Sequence, residues 1–139
     1  YVVLPEKYKN LDYLRPYYGN PEWAIRAIFS GYLGWFDGNA TNLFPLSDAQ
    51  EAQRIVKLAG GEDALADLIV GAINEKDYQW AAMLCDYLLA VDPKNKTAML
   101  RKADALTALA QDKLTTTARN YYLSSAIELR KQASALASE

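Results

Sequence analysis

The chain has 139 residues, which suits a single domain, and 51% hydrophobic against 23% charged residues is typical of a globular protein. Fifteen basic and seventeen acidic residues leave a formal net charge of -2, so no large cationic field exists to attract nucleic acid or an anionic membrane. The sequence contains no histidine, which removes the commonest zinc ligand and the commonest general base near neutral pH.

Membrane insertion and disulfide bonding are equally unsupported by the sequence. No run of about eighteen apolar residues is present, and the first residues lack the pattern of a signal peptide. The chain starts without Met, so we expect it to be a piece of a longer protein, whose compartment the sequence leaves open. Cys85 is the only cysteine, and its place on an apolar helical face predicts a buried structural thiol.

Residues 1-19 are predicted to form an extended N-terminal arm or connector, and residues 20-139 a helical domain. The arm has Pro5, Pro16 and five tyrosines but no helical period. Asn20 followed by Pro21 predicts the start of the first helix, over about 21-33. Gly34 is expected to end it, and a turn and loop follow through residue 45.

Five more helices are predicted from capping residues and helical periodicity. Ser47 opens the second with a capping box, and the third runs over about 62-75. Asp77 caps a fourth that ends before Pro93, Asn95 caps a fifth, and the last starts near residue 116. The side chains expected to face inward are Ile25, Ile28, Phe29, Tyr32, Ala52, Ile55, Val56, Ala59, Leu65, Leu68, Ile69, Ala72, Ile73, Trp80, Ala81, Leu84, Cys85, Leu88, Ala98, Met99, Ala103, Leu106, Ala110, Tyr122, Ala126 and Leu129. The fold class is therefore all-α, an antiparallel bundle of about six helices.

The segment 77-110 has the pattern of one tetratricopeptide-like hairpin, with small residues where its two helices would cross. A single repeat cannot cover its own apolar faces. Flanking helices or a second subunit must therefore complete it, which indicates packing and assembly.

Two polar-aromatic clusters carry the remaining signal. The first, over residues 29-39, interleaves four aromatic residues with three glycines at the end of the first helix. It fits either a tightly packed helix end or a surface for a ligand or subunit. The second surrounds Arg119. An arginine that lies among tyrosines more often anchors structure than takes part in catalysis. Asp37, Glu62 and Asp63 lie in a turn or at a helix start, so capping explains them better than metal binding.

Several short segments together carry a resemblance to a known family. They are GYLGWFDGN at 31-39, AGG at 59-61, DYQWA at 77-81, RNYYL at 119-123 and ELR at 128-130. In this order, over about residues 17-130, the chain resembles the dimerisation domain of metallo-β-lactamase-fold alkyl sulfatases.

The resemblance implies a larger parent enzyme that hydrolyses alkyl sulfate esters to alcohol and sulfate. It implies two zinc ions in a separate catalytic domain, no cofactor in this chain, and two partners, namely a second copy and that catalytic domain. We expect Tyr32 and Trp35 to bind substrate in the parent. The side chains expected at dimer or domain interfaces are Phe36, Tyr78, Trp80, Arg119 and Tyr122. A free-standing tetratricopeptide-like adaptor that binds a peptide remains the alternative.

Overall fold

The computed structural model describes residues 5-136, and within this range the chain forms six α-helices and no strand. The helices are α1 (Pro21–Leu33), α2 (Asp48–Ala59), α3 (Glu62–Asn74), α4 (Tyr78–Val91), α5 (Lys96–Gln111) and α6 (Thr116–Ala135). Short 3₁₀ turns lie at Glu6–Tyr8, Asp12–Leu14 and Ala40–Leu43. The predicted all-α class and the number of helices are confirmed.

The helix starts follow from local capping. The side chains of Asn20, Asp77 and Asn95 each accept a hydrogen bond from the amide three residues later, at 2.9, 3.1 and 3.0 Å. Ser47 and Gln50 form the predicted reciprocal capping box. These contacts fix where four of the six helices begin.

Helices α2 to α6 pack in sequence order and build the core. Helices α2 and α3 lie against α4, α4 lies against α5, and α5 lies against α6. An ion pair between Asp86 and Lys102 links α4 to α5, and Arg130 donates to Asp104 at 3.0 Å between α6 and α5. Short loops join each of the helices α2 to α6 to the next one along the chain, so consecutive helices run antiparallel. The tetratricopeptide-like character of the α4-α5 hairpin stays a prediction.

The core has two buried clusters that share helices α3, α4 and α5. One is built from larger apolar side chains of α2 to α5: Val56, Leu65, Ile69, Leu84, Cys85, Leu88 and Ala98. The other is alanine-rich and lies where α3 to α6 meet: Ala72, Ala81, Ala82, Ala103, Ala105, Leu106 and Ala126. Small side chains let helix backbones approach closely. Cys85 is fully buried, and burial raises the pKa of its thiol to about 12, so the predicted structural thiol is confirmed.

Within helices α2 to α6, two side chains that the periodicity placed inward are exposed. Leu68 is 51% exposed because α3 packs chiefly on α4 and buries only a narrow stripe at Leu65, Ile69 and Ala72. Trp80 is 45% exposed; it lies in the first turn of α4, where the large ring is only partly covered. The prediction that these two residues face inward is wrong.

The predicted arm is also less extended than expected. Its residues 1-4 lie outside the described part of the chain. Within 5-19 the backbone makes the two 3₁₀ turns, and the pattern of two prolines did not predict them. The division into an arm and a domain remains a prediction.

Candidate functional site

The N-terminal segment, defined here as residues 5-46, contains no buried residue. Helix α1 lies within it and packs closely on none of the helices α2 to α6. Its exposed large apolar side chains are Tyr8, Tyr13, Leu14, Tyr17, Tyr18, Trp23, Ile25, Ile28, Phe29, Tyr32, Leu33, Trp35, Phe36, Leu43, Phe44 and Leu46. Exposed apolar area of this extent marks an interaction surface. The prediction that Ile25, Ile28, Phe29 and Tyr32 face inward is therefore wrong for this chain alone.

Hydrogen bonds at the start of α6 attach the N-terminal segment to the helical core. The amide of Thr116 donates to the carbonyl of Tyr17 at 2.6 Å, and the hydroxyl of Thr117 donates to the carbonyl of Tyr18 at 2.8 Å. The guanidinium of Arg119 donates twice to the carbonyl of Lys113, at 3.2 and 2.8 Å. Arg119 thus holds the loop that precedes α6, close to the point of attachment.

Helix α1 is stabilised mainly by its own residues. Asn20 caps it, and Arg26 donates to Glu22 at 2.8 Å one turn apart. An isolated helix of only 13 residues is marginally stable in water. Its apolar face, with Ile28 58% exposed, needs another surface to pack against.

The turn after α1 is ordered by polar contacts. Gly34 and Gly38 adopt positive φ values of 78° and 87°, which residues with a side chain rarely adopt. The carboxylate of Asp37 accepts the amide of Asn39 at 2.9 Å and the side-chain amide of Asn42 at 2.6 Å. These two hydrogen bonds lower the pKa of Asp37, the backbone contact having the larger effect.

The predicted substrate-binding residues Tyr32 and Trp35 are both open to solvent, 86% and 74% exposed. Tyr32 lies in the last turn of α1, and Trp35 follows the helix end. The ring of Trp35 meets the ring of Phe36 edge to face, with centroids 5.6 Å apart. The glycine-aromatic segment is therefore an exposed surface in this chain and not a tightly packed helix end.

The other interface candidates lie on the helical core. Tyr78 and Tyr122 are half-buried and pack against the alanine-rich cluster. Tyr122 also lines a groove with Trp23 and Arg26 of α1, so it lies near the start of that helix. Trp80 is half-exposed.

Four exposed apolar side chains were missed by the sequence reasoning. They are Phe44, Leu58, Tyr121 and Ile127, between 66% and 94% exposed. Phe44 could have been recognised as exposed because it is one of two consecutive apolar residues in a loop before a proline. The other three lie on helices, where periodicity alone does not separate an uncovered face from a buried one.

Neither a metal-binding cluster nor a membrane-spanning helix is found in the part of the chain that the structure describes. Residues 5-136 contain no cluster of three or more His, Cys, Asp or Glu side chains suited to a metal ion. None of the helices in this range is long and apolar enough to cross a membrane.

Comparisons with known proteins agree with the resemblance drawn from the motifs. The family model described as alkyl sulfatase dimerisation matches residues 1-132. An (R)-specific secondary-alkylsulfatase of Pseudomonas sp. is 39% identical over 91% of this chain and 19% of its own length. A linear primary-alkylsulfatase of Pseudomonas sp. (strain ATCC 19151) is 40% identical over 84% of this chain and 22% of its own. The alkyl/aryl-sulfatase BDS1 of Saccharomyces cerevisiae is 36% identical over 84% of this chain and 18% of its own.

The fold matches a solved structure over the same region. The stereoselective inverting sec-alkylsulfatase Pisa1 from Pseudomonas sp. superposes with a TM-score of 0.88 and 38% identity, over 94% of this chain and 20% of that one. The chain thus spans about a fifth of the length of the relatives it matches. Sequence, motif order and fold agree, and the chain belongs to the alkyl sulfatase dimerisation family.

Proposed function

We propose that this chain is the assembly domain of a larger alkyl sulfatase and that its N-terminal segment packs against a second copy. The observation that carries this proposal is the surface of the isolated chain, 10126 Å². A compact monomer of 15.5 kDa would expose about 7,200 Å². The excess of about 2,900 Å² per chain, or about 5,800 Å² for a pair, is large enough for an obligate dimer, whose two partners together bury about 2,000 to 5,000 Å² or more.

The location of the exposed apolar side chains supports a protein partner. They are concentrated in the N-terminal segment, and many of them are aromatic, a residue class enriched at the core of interfaces. A symmetric pair would cover both segments at once, since in a two-fold dimer each copy gives and receives the same contacts.

The catalytic step of the parent enzyme would belong to another domain. The relatives carry alkylsulfatase names, and this chain corresponds to about a fifth of their length. Because the 139 residues contain no histidine, the two zinc ions implied by the resemblance would be held elsewhere, in a metallo-β-lactamase-like domain. That domain is the second proposed partner of this chain.

We propose that Tyr32 and Trp35 line the substrate pocket where this chain meets that catalytic domain. The exposed phenol of Tyr32 is free to donate a hydrogen bond to a sulfate oxygen. Phe36 and Trp80 supply exposed rings for an interface, and Tyr78, Tyr122 and Arg119 would support it from the helical core.

The dimer is tested by light scattering after size exclusion, over a range of concentrations. We expect a stable dimer, and Ile28→Glu in α1 should dissociate it by placing a charge in an apolar contact. The matched control is Leu58→Glu, which changes an even more exposed apolar residue, at 84%, on the core helix α2. A monomer at every concentration would contradict the proposal and favour the adaptor. Dissociation by Leu58→Glu alone would move the interface to the core.

The role of Tyr32 is tested in the full-length parent enzyme. Tyr32→Phe should lower kcat/KM for an alkyl sulfate about tenfold, because one hydrogen bond to a charged oxygen is lost, while the dimer persists. Tyr13→Phe removes an equally exposed hydroxyl from the arm, 80% exposed, and should leave kcat/KM unchanged. Equal kinetics for both variants would exclude a substrate contact by Tyr32.

A further inference from the structure

The turn between α1 and α2, residues 34-46, is ordered although it has no core of its own. Every residue in it is exposed, so burial of apolar side chains within this chain does not hold it. Polar contacts that centre on Asp37 hold the turn in place instead.

Asp37 closes the turn through both carboxylate oxygens. Oδ1 accepts the backbone amide of Asn39 at 2.9 Å, and Oδ2 accepts the side-chain amide of Asn42 at 2.6 Å. The side chain of Asn39 in turn accepts the amide of Thr41 at 3.2 Å. The contact from Asp37 to Asn42 spans five residues, and it therefore sets the distance between the two flanks of the turn.

Each flank carries aromatic or aliphatic side chains that face solvent. Phe36 precedes Asp37 and is 38% exposed, while Leu43 and Phe44 follow Asn42 and are 44% and 94% exposed. Phe44 is thus among the most exposed large apolar residues of the described chain. In a separate monomer this exposure would be unfavourable.

The internal hydrogen bonds prepare the turn for burial. Polar groups that enter an interface without partners cost free energy, and here the carboxylate of Asp37 and the amides it accepts are already paired with one another. A turn that is held in one conformation before contact also loses less conformational entropy when it binds.

We propose that Asp37 is a positioning residue for dimerisation, which fixes the turn so that Phe36, Leu43 and Phe44 meet the second copy as a preformed apolar surface. This inference rests on the dimer proposed above. A second copy is the occupant because the chain exposes about 2,900 Å² more than a compact monomer of its mass, enough for each partner of an obligate pair. The turn is also continuous with the N-terminal segment that is proposed to pack against that copy.

The test measures the dimer dissociation constant by analytical ultracentrifugation of the full 139-residue chain. Asp37→Ala removes both acceptors, and Asn42→Asp places two carboxylates where one hydrogen bond was. Each should raise the dissociation constant about tenfold or more, since the flanks separate. The double variant D37N/N42D restores a complementary pair, because the new amide can donate to the new carboxylate, and it should return the constant to within about threefold of the original.

The control for charge is N42D combined with Asp67→Asn, an exposed acid on α3. It has the same net charge as D37N/N42D but no complementary pair, and it should stay as weak as N42D alone. Circular dichroism of dissociated chains should be the same for all variants, because the turn packs on no buried residue.

The outcomes separate this inference from the proposed function. A wild-type chain that never dimerises overturns both. A stable wild-type dimer whose affinity Asp37→Ala leaves unchanged overturns the role of Asp37 alone, and so does rescue of N42D by Asp67→Asn. A turn that serves the catalytic domain instead would also leave the affinity of the dimer unchanged in Asp37→Ala.

Discussion

Helices α1 and α4 carry the same apolar spacing and have opposite fates. In α4 the side chains at positions i, i+3, i+4 and i+7 are buried, all at most 2% exposed: Ala81, Leu84, Cys85 and Leu88. In α1 the same spacing gives side chains that are 40% to 86% exposed: Ile25, Ile28, Phe29 and Tyr32. The four side chains of α1 are larger than those of α4, so a lack of apolar area does not explain their exposure.

The difference comes from what surrounds each helix. Helix α4 contacts α2, α3 and α5, and short loops join it to α3 and α5. Helix α1 lies between the arm and a turn whose polar contacts are internal. Periodicity thus predicts that a face will be covered, but it does not say by which chain. We expect the second copy to pack against the apolar face of α1.

The largest expected effect is the difference in the free energy of unfolding between two leucine truncations, one in the core and one on the surface. Leu65 is fully buried in the core and Leu58 is 84% exposed. We expect Leu65→Ala to lower the free energy of unfolding by about 3 kcal/mol, through lost burial and the cavity left behind. Leu58→Ala should change it by less than about 0.5 kcal/mol.

Urea unfolding of dissociated chains, followed by circular dichroism, measures both leucine variants. Equal losses of stability would mean that another part of the same chain covers Leu58 in solution. The core would then extend beyond α2 to α6, and the contrast with α1 would weaken.

The features that could be predicted from the sequence are local ones. Asn20, Ser47, Asp77 and Asn95 each cap a helix within three residues of chain, so the sequence contains the whole interaction. The bounds of α3 were also predicted within one residue, although no side chain caps its start, because its two acidic first-turn residues and its apolar period lie within the helix itself. The family resemblance followed from motif order.

The features that could not be predicted depend on distant or absent partners. The exposure of Trp80 and Leu68 follows from which helices pack beside them, and periodicity does not contain that information. The contact of Asp37 with Asn42 depends on the backbone path through Gly38. The roles of Tyr32 and Trp35 depend on a domain outside this chain and stay predictions.

A smaller effect is expected when the same type of capping residue, an asparagine, is removed in each of the two regions. Asn95 caps α5 in the core and Asn20 caps α1, with hydrogen bonds of 3.0 and 2.9 Å. Asn95→Ala should lower the free energy of global unfolding by about 1 kcal/mol, because α5 unfolds together with the helices packed on it. Asn20→Ala should leave that value unchanged in dissociated chains and only reduce the helical signal, because α1 packs on no other helix closely.

Dimer formation should reverse the result for Asn20. If a second copy covers α1, forming the helix becomes part of binding. Asn20→Ala then raises the dissociation constant by about thirtyfold, because each of the two copies loses a cap of about 1 kcal/mol. The measurement is analytical ultracentrifugation, with Asn95→Ala as the reference for a cap outside the proposed interface. A dissociation constant that Asn20→Ala leaves unchanged would mean that α1 is not ordered by the partner. The cover for its apolar face would then have to come from the catalytic domain.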